Sequence, residues 1–205
     1  MYKRQICGRY EYIKPYTDLL LVQMVALHSY YDLKIVILTN EANLEYWENI
    51  KMMPHLFSND KETRFFASNF DDAKEITQYL QRIMTSRITQ TEKIKQNREQ
   101  LYKNFSTYYM IITDDYKMIK NFSLIDQILE MDGNLGFSLL ILHPSIANLP
   151  TATKAFIGIN DMQNGGIFES EIQKDSQRTF TIEPVDKLDL SYCCLLYTSD
   201  AADEL

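Results

Sequence analysis

One apolar run, Leu33-Lys-Ile-Val-Ile-Leu38, indicates the fold class of this chain. The run does not alternate between apolar and polar residues, which is typical of a central strand that is covered on both faces, as in a parallel sheet. Tyr108–Ile112 and Phe137–Leu142 are strands of the same kind, and Thr63–Ala67 is a shorter candidate. Four strand–helix units of this type predict an α/β domain built on a mostly parallel sheet.

Helical segments precede and separate these strands. Leu19–Leu27 is apolar on nearly every side and follows Pro15 and Thr17-Asp18, which can start and cap a helix that packs against the sheet. Ala42–Met53 is helical in composition and has to end at Pro54, because the residue before a proline is disfavoured in α space. Both segments are predicted to be helices.

A long helix is predicted after Ser68-Asn69, which can cap its first turn. Beyond it, Thr89–Gln100 is almost wholly polar and is either a projecting helical arm or a loop. A further helix is predicted from Tyr116 to about Met131, where Asp132-Gly-Asn follows. Apolar residues recur at helical spacing along the long helix and predict its inward side, which consists of Ile76, Tyr79, Leu80, Ile83, Met84 and Ile88.

The character of the sequence changes after Pro150. Ala155–Ile159, Gly166–Glu169 and Arg178–Ile182 are short strand candidates, and the first two are separated by the turn-rich stretch Asp161–Gly165. The pattern predicts an antiparallel β extension at the C-terminal end of the parallel sheet.

Composition excludes several classes of protein. The 205 residues are 45% hydrophobic and 24% charged, with a net charge of −7, and three cysteines cannot form a disulfide framework. No apolar run approaches the roughly 20 residues that span a bilayer. The acidic balance argues against a free-standing nucleic-acid binder, so no nucleic-acid partner is expected.

The first candidate site is the loop that would leave the first strand, where Gly8 and Arg9 are the candidate nucleotide-binding residues. A phosphate-binding loop reads G-x-x-x-x-G-K-[ST], and its backbone amides surround the phosphates. Here Lys14 is followed by Pro15, and no second glycine or hydroxyl residue completes the pattern. The alternative is that Gly8 is an ordinary turn residue.

The second candidate site follows the strand Tyr108–Ile112, where Asp114 and Asp115 are the candidate metal ligands. A carboxylate at this strand end is where an ATPase holds magnesium. The alternative is that these acids cap the helix from Tyr116. No catalytic residue is assigned, because the histidines and cysteines match no metal-ligand spacing and no nucleophile setting.

Several segments together resemble a known family. They are Val22-Gln-Met-Val-Ala-Leu-His-Ser29, Asp32-Leu-Lys-Ile-Val-Ile37, Trp47, Met53-Pro-His55, Arg64-Phe-Phe-Ala-Ser-Asn69, Gly136–Leu142, Asn148-Leu-Pro150 and Gly165–Phe168. The chain resembles the EssC/EccC family, the FtsK/SpoIIIE-type membrane ATPases of type VII secretion. The matching region is the ATPase-like domain between the membrane helices and the first motor domain.

The resemblance implies a three-layer P-loop-ATPase-like (Rossmann-like) fold inside a hexameric motor. It implies a parent anchored in the cell membrane, with this domain on the cytoplasmic side. That parent would export WXG-motif proteins together with other membrane components of the secretion system. ATP and magnesium would be cofactors of its other domains, and this segment would hold none and not hydrolyse ATP.

Both ends of the chain resemble translated sequencing adapter. We therefore expect residues 1–5 and 194–205 to be artefacts, and residues 6–193 to be a degenerate FtsK-like ATPase domain with a truncated first strand. Two alternatives remain open. The first is an active nucleotide-binding domain, for example of an FtsK-type DNA translocase, and the second is an unrelated α/β domain that binds a small metabolite.

Overall fold

The protein is an α/β structure whose strands form one sheet. This computed structural model describes residues 3–92, 98–145, 147, 150, 155–169 and 178–182. The strands are β1 (Lys3–Cys7), β2 (Leu33–Leu38), β3 (Phe66–Ala67), β4 (Tyr108–Thr113), β5 (Phe137–His143), β6 (Ala155–Ile159), β7 (Asn164–Glu169) and β8 (Arg178–Thr181). The helices are α1 (Tyr10–Leu27), α2 (Leu44–Trp47), α3 (Phe70–Thr91), α4 (Tyr116–Ile119) and α5 (Ser123–Glu130).

Over the described residues, the sheet has eight strands in the order β3-β2-β4-β5-β1-β6-β7-β8. The pairs from β3 through to β6 are all parallel, whereas β6–β7 and β7–β8 are antiparallel. The predicted fold class, a mostly parallel sheet with an antiparallel extension, is therefore confirmed.

Helices cover both faces of the sheet. On one face, α3 and α5 pack on Val36, Ile111 and Leu139, and on the other, α1 and the segment around α2 pack on Ile35 and Ile112. All six residues of β2 are buried, as its non-alternating pattern predicts, and they include Lys34. The strands thus form the middle of three layers.

The first strand is central. β1 lies between β5 and β6, and it pairs with β5 along its whole length, from Lys3 with Leu139 to Cys7 with His143. The residues predicted to be adapter, up to Gln5, include the first three positions of this strand. Cys193 and residues 194–205 lie outside the described residues.

Helix α1 begins at Tyr10, so the prediction that it starts after Pro15 and Thr17 is wrong. Pro15 lies within the helix, where it removes one backbone hydrogen bond. The helix continues across it because its first turns are already packed: Ile13 is buried, and the Thr17 hydroxyl donates to the Ile13 carbonyl at 2.8 Å.

Two other predicted helices are broken. The segment predicted as one helix over 42–53 consists of short 3₁₀ turns around α2, and the segment over 116–131 is divided into α4 and α5. The second break lies at Phe122, whose backbone is extended and whose ring packs against Phe70 at 5.2 Å between centroids. Tertiary packing overrides local propensity at this position.

Helix α3 confirms its prediction. The Asn69 side chain accepts a hydrogen bond from the backbone N–H of Asp72 at 2.9 Å and caps the helix. Its predicted inward side packs into the core through Ile76, Leu80 and Met84. Among the described helices, none combines the length and apolar character needed to cross a membrane.

Candidate functional site

The turn between β1 and α1 consists of Gly8 and Arg9 alone. The Gly8 amide donates to the His143 carbonyl at 3.4 Å, and a Cβ placed on Gly8 would lie 2.4 Å from the Ile159 carbonyl oxygen. Glycine is required here because the backbone of β6 approaches so closely. The turn thus packs against neighbouring backbone and has no room to surround a ligand.

Arg9 points into solvent at the start of α1. Its side chain is 77% exposed, and its guanidinium lies 3.3 Å from the Glu11 carboxylate. The Arg9 side chain does not cap the helix. The structure therefore places Arg9 at the carboxyl edge of the sheet, paired with an acid of its own helix.

Asp114 is buried at the end of β4, and both of its carboxylate oxygens are engaged. The Thr39 hydroxyl donates to Oδ1 at 2.7 Å, and the Trp47 indole N–H donates to Oδ2 at 3.0 Å. Burial raises the pKa of the Asp114 carboxyl above its ordinary value, and the hydrogen bonds from Thr39 and Trp47 oppose that rise. Asp114 thus joins β2, α2 and β4 through neutral donors.

Asp115 caps a helix, as the alternative interpretation of the sequence allows. Its side chain accepts from the Met118 backbone N–H at 3.3 Å, at the start of α4. Its other oxygen accepts from the Asn40 side-chain amide at 3.1 Å. The two neighbouring acids therefore have different partners: Asp114 accepts from Thr39 and Trp47, whereas Asp115 accepts from Asn40 and Met118.

An aromatic side chain connects the two candidate loops. The Tyr10 hydroxyl, one residue beyond Arg9, donates to the backbone carbonyl of Asp114 at 3.3 Å. Its ring contacts Tyr46 edge-to-face at 5.8 Å, and burial raises the pKa of Tyr10 to about 12. The elements that meet at the carboxyl edge of the sheet are thus connected by one cluster of side chains, which we call the Asp114 cluster. It consists of Tyr10, Thr39, Tyr46, Trp47 and Asp114.

Sequence reasoning placed Asp114 at this edge but missed its partners. Trp47 is buried, and its indole N–H donates to the Asp114 carboxylate. One signal for Thr39 was available, because a polar residue directly after an apolar strand lies at the same edge as the residues after β4. No sequence signal indicates the Tyr10 contact.

The residues present do not fit a magnesium–triphosphate group. A two-residue turn offers too few amides to surround phosphates, and the Asp114 oxygens are already bonded to Thr39 and Trp47. Over the part of the chain that the structure describes, no group of three His, Cys, Asp or Glu residues could hold a metal ion. The geometry at this edge of the sheet is that of a closed structural junction.

Comparisons with known proteins agree with this architecture. No protein-family model matches the chain. The type VII secretion system protein EssC of Staphylococcus aureus (strain NCTC 8325 / PS 47) is 23% identical over 173 residues, which is 84% of this chain but 12% of that protein. The chain thus spans about one-eighth of the length of this curated relative.

Solved structures share the fold at low sequence identity. EssC (ATPases 2 and 3) from Geobacillus thermodenitrificans matches with a TM-score of 0.70 at 10% identity, covering 100% of this chain and 44% of that one. The cytoplasmic domain of the Thermomonospora curvata type VII secretion ATPase EccC matches with a TM-score of 0.65 at 10% identity, covering 91% and 24%.

The sheet order and the match to the solved EssC structure show that the chain has the α/β fold of those ATPase domains. Within that fold class, the chain is homologous over most of its length to the EssC/EccC type VII secretion ATPases. The resemblance stated from the sequence is thereby confirmed.

Proposed function

We propose that this chain is an ATPase-like domain of a type VII secretion protein that assembles or couples the translocase without hydrolysing ATP. One observation supports this most directly. The turn that holds phosphates in an active ATPase is reduced to Gly8 and Arg9, and the backbone of Ile159 fills the space beside it.

The Asp114 cluster supports the same proposal. An active domain needs a carboxylate that is free to hold a magnesium-bound water. In this domain the Asp114 carboxylate instead ties β2, α2 and β4 together. A junction of this kind makes the carboxyl edge rigid, which suits a domain that transmits force or position between neighbours.

The wider setting is part of the proposal, and the similarity to the EssC/EccC proteins supports it. The parent protein is anchored in the cell membrane, this domain lies on its cytoplasmic side, and copies of the protein associate into a hexameric ring. The ring works with other membrane components of the secretion system and exports WXG-motif proteins. ATP and magnesium act in other domains of the parent, and nucleotide contacts at Gly8 and Arg9 or metal contacts at Asp114 and Asp115 are not part of this function.

The test measures nucleotide binding and turnover by the purified chain. With magnesium and ATP, we expect no phosphate release above that of an Asp114→Ala variant, and no rise in the melting temperature of the wild-type chain. Arg9→Ala is the matched control for the exposed loop and should behave as wild type does. Turnover that Asp114→Ala abolishes would refute the proposal.

The coupling role needs the full-length parent. Trp47→Phe keeps the apolar ring but removes the indole donor to Asp114. We expect this variant to lower secretion while ATP hydrolysis by the rest of the protein is unchanged. Equal losses of secretion and hydrolysis would place the domain in the catalytic cycle instead.

A further inference from the structure

A cavity of about 660 Å³ lies between α1 and the sheet. It opens near the amino ends of the strands, at the opposite edge from the Asp114 cluster. Its roof includes Tyr16, Leu20 and Met24, which recur every four residues along α1 and are only half-buried. The volume is within the range of about 300–1,000 Å³ that is typical of small-molecule sites.

The floor of the cavity is apolar and long. It runs across five adjacent strands, from Leu33 on β2, through Met110 on β4 and Leu140 on β5, to Ile6 on β1 and Ile157 on β6. Four inter-strand spacings of about 4.8 Å give a length of roughly 19 Å. One leaflet of a bilayer's hydrocarbon core, which holds one layer of acyl chains, is about 15 Å thick, so the floor is long enough for one acyl chain.

Two hydroxyl groups interrupt the apolar floor. The Tyr108 hydroxyl and the Ser138 hydroxyl share one hydrogen bond of 2.6 Å, and the Asn134 side-chain amide donates to the Tyr108 oxygen at 2.8 Å. Two hydroxyl groups carry two protons, and their shared bond uses one of them. The other proton can be donated to an acceptor oxygen of a molecule in the cavity.

The mouth of the cavity is polar and carries charges of both signs. His28, Asp32 and Lys103 lie there, beside Ser106. An anionic head group would meet Asp32 as well as Lys103, so the mouth suits an uncharged, oxygen-rich head. The apolar surface also continues outside, because Leu27 at the end of α1 is 77% exposed.

We propose that this cavity binds the acyl chain of an uncharged monoacyl lipid. The acyl chain lies across the strands beneath α1. The ester carbonyl accepts a hydrogen bond from the hydroxyl of the Tyr108–Ser138 pair whose proton is not shared, and the hydroxyl-bearing head lies at the mouth near Lys103. Met24 and Met110, whose unbranched side chains adapt to irregular partners, allow chains of different length to fit. The site is independent of the nucleotide-binding question.

Binding is measured by titration calorimetry of the full chain with monolauroylglycerol below its micelle concentration. Met110→Trp fills the centre of the floor and should weaken binding at least tenfold. Met162→Trp adds the same side chain at an exposed position on the β6–β7 turn and should bind as wild type does. If circular dichroism shows that Met110→Trp is unfolded, Leu20→Trp fills the cavity from the roof instead.

The hydroxyl pair gives a second, sharper test. Wild type should prefer monolauroylglycerol over its ether analogue, which lacks the carbonyl, by about two- to tenfold. Either Tyr108→Phe or Ser138→Ala leaves one hydroxyl with its proton, so each single variant should keep the preference, whereas the double variant should lose it. No binding of the lipid by wild type, or equal binding by Met110→Trp and Met162→Trp, would overturn the proposal.

The source of the lipid is distinguished by presentation. Phosphatidylcholine vesicles that contain monolauroylglycerol are compared with the free lipid. Transfer of the lipid from the vesicles to the chain supports a membrane source, whereas uptake of the free lipid alone supports a soluble source.

Discussion

Replacing Arg87 by methionine should destabilise the protein by about 3 kcal/mol. Arg87 lies on α3 and is 7% exposed. Its guanidinium donates to the carbonyls of Leu135 and Thr107, each at 2.7 Å, where β5 and β4 begin. The group also lies over the rings of Phe105, Tyr109 and Phe137, at 4.5, 5.3 and 5.1 Å from their centroids. Arg87 therefore fastens the helix to the amino ends of two strands.

The magnitude follows from what methionine leaves behind. Two buried carbonyls lose their donors, at a cost of roughly 1–3 kcal/mol each. Three cation–π contacts are lost as well, although methionine still packs against the rings. The desolvation of the guanidinium, which lowers the pKa of Arg87, is relieved and offsets part of the loss. Arg87→Lys should cost about half as much. An ammonium can still donate to one of the two carbonyls, but it lacks the planar fork that reaches both.

The assay is urea unfolding at neutral pH, followed by the fluorescence of Trp47, the single tryptophan of the chain. Arg82→Met is the matched control, since Arg82 is an exposed arginine of the same helix, and its cost should stay within about 0.5 kcal/mol. A cost below about 1 kcal/mol for Arg87→Met, or one equal to that of the control, would refute the reasoning.

A double-mutant cycle with Gly136 isolates the contact. Gly136 has a φ of +83°, and a Cβ there would lie 2.3 Å from Arg87 Nη1. Gly136→Ala should therefore carry the left-handed backbone cost of about 1–2 kcal/mol and the collision together. In the Arg87→Met background the collision is absent, so the cost of Gly136→Ala should fall by about 1 kcal/mol or more. Additive costs would contradict the geometry.

Three further predictions concern single side chains. Burial raises the pKa of Asp114 in the folded state, so the stability it contributes is present below the ordinary carboxyl pKa of about 4 and is lost as the pH rises above it. The stability advantage of wild type over Asp114→Asn should thus shrink with rising pH in urea titrations, and a growing advantage would contradict this. Burial raises the pKa of Cys7 to about 11. In a variant whose other cysteines are serine, iodoacetamide at pH 8 should therefore alkylate Cys7 at least about a hundredfold more slowly in the folded protein than in the unfolded protein. Equal alkylation rates in the two states would disprove this. Asn69→Ala removes the cap of α3 and should cost about 1 kcal/mol in urea, whereas an unchanged midpoint would show that the cap is dispensable.

The sequence predicted the sheet better than the helices. The strands β2, β4 and β5 are mostly apolar and do not alternate, and this pattern depends on burial of both faces. The helix over 116–131 was predicted as continuous because the composition near Phe122 permits a helix, whereas its break depends on the contact with Phe70, which no local pattern reveals. Non-local packing decided the positions that the sequence left open.

The position of Asp114 at the end of β4 was predicted from the sequence, but its contacts were not. The carboxyl ends of parallel strands meet at one edge of the sheet, so the position of Asp114 followed from the predicted end of β4. Its bonds to Thr39 and Trp47 join residues 75 and 67 positions apart, and sequence spacing carries no information about such pairs. The burial of Arg87 was not predicted for a related reason. An arginine on a helix is expected to face solvent, and the carbonyls that it binds lie far away in the sequence.

The central place of β1 has a consequence for synthesis in the cell. β1 precedes the other strands along the chain, yet Ile6 pairs with Leu142 on β5 and with Ile157 on β6, so both of its neighbours are made only after β2, β3 and β4. Until then the apolar side of α1 has no complete sheet to cover it, and a nascent chain with such a surface is a ready client for chaperones. Ribosome-bound chains that end before β5 should therefore bind nascent-chain chaperones. The chaperone should be released when β6 has emerged from the ribosome.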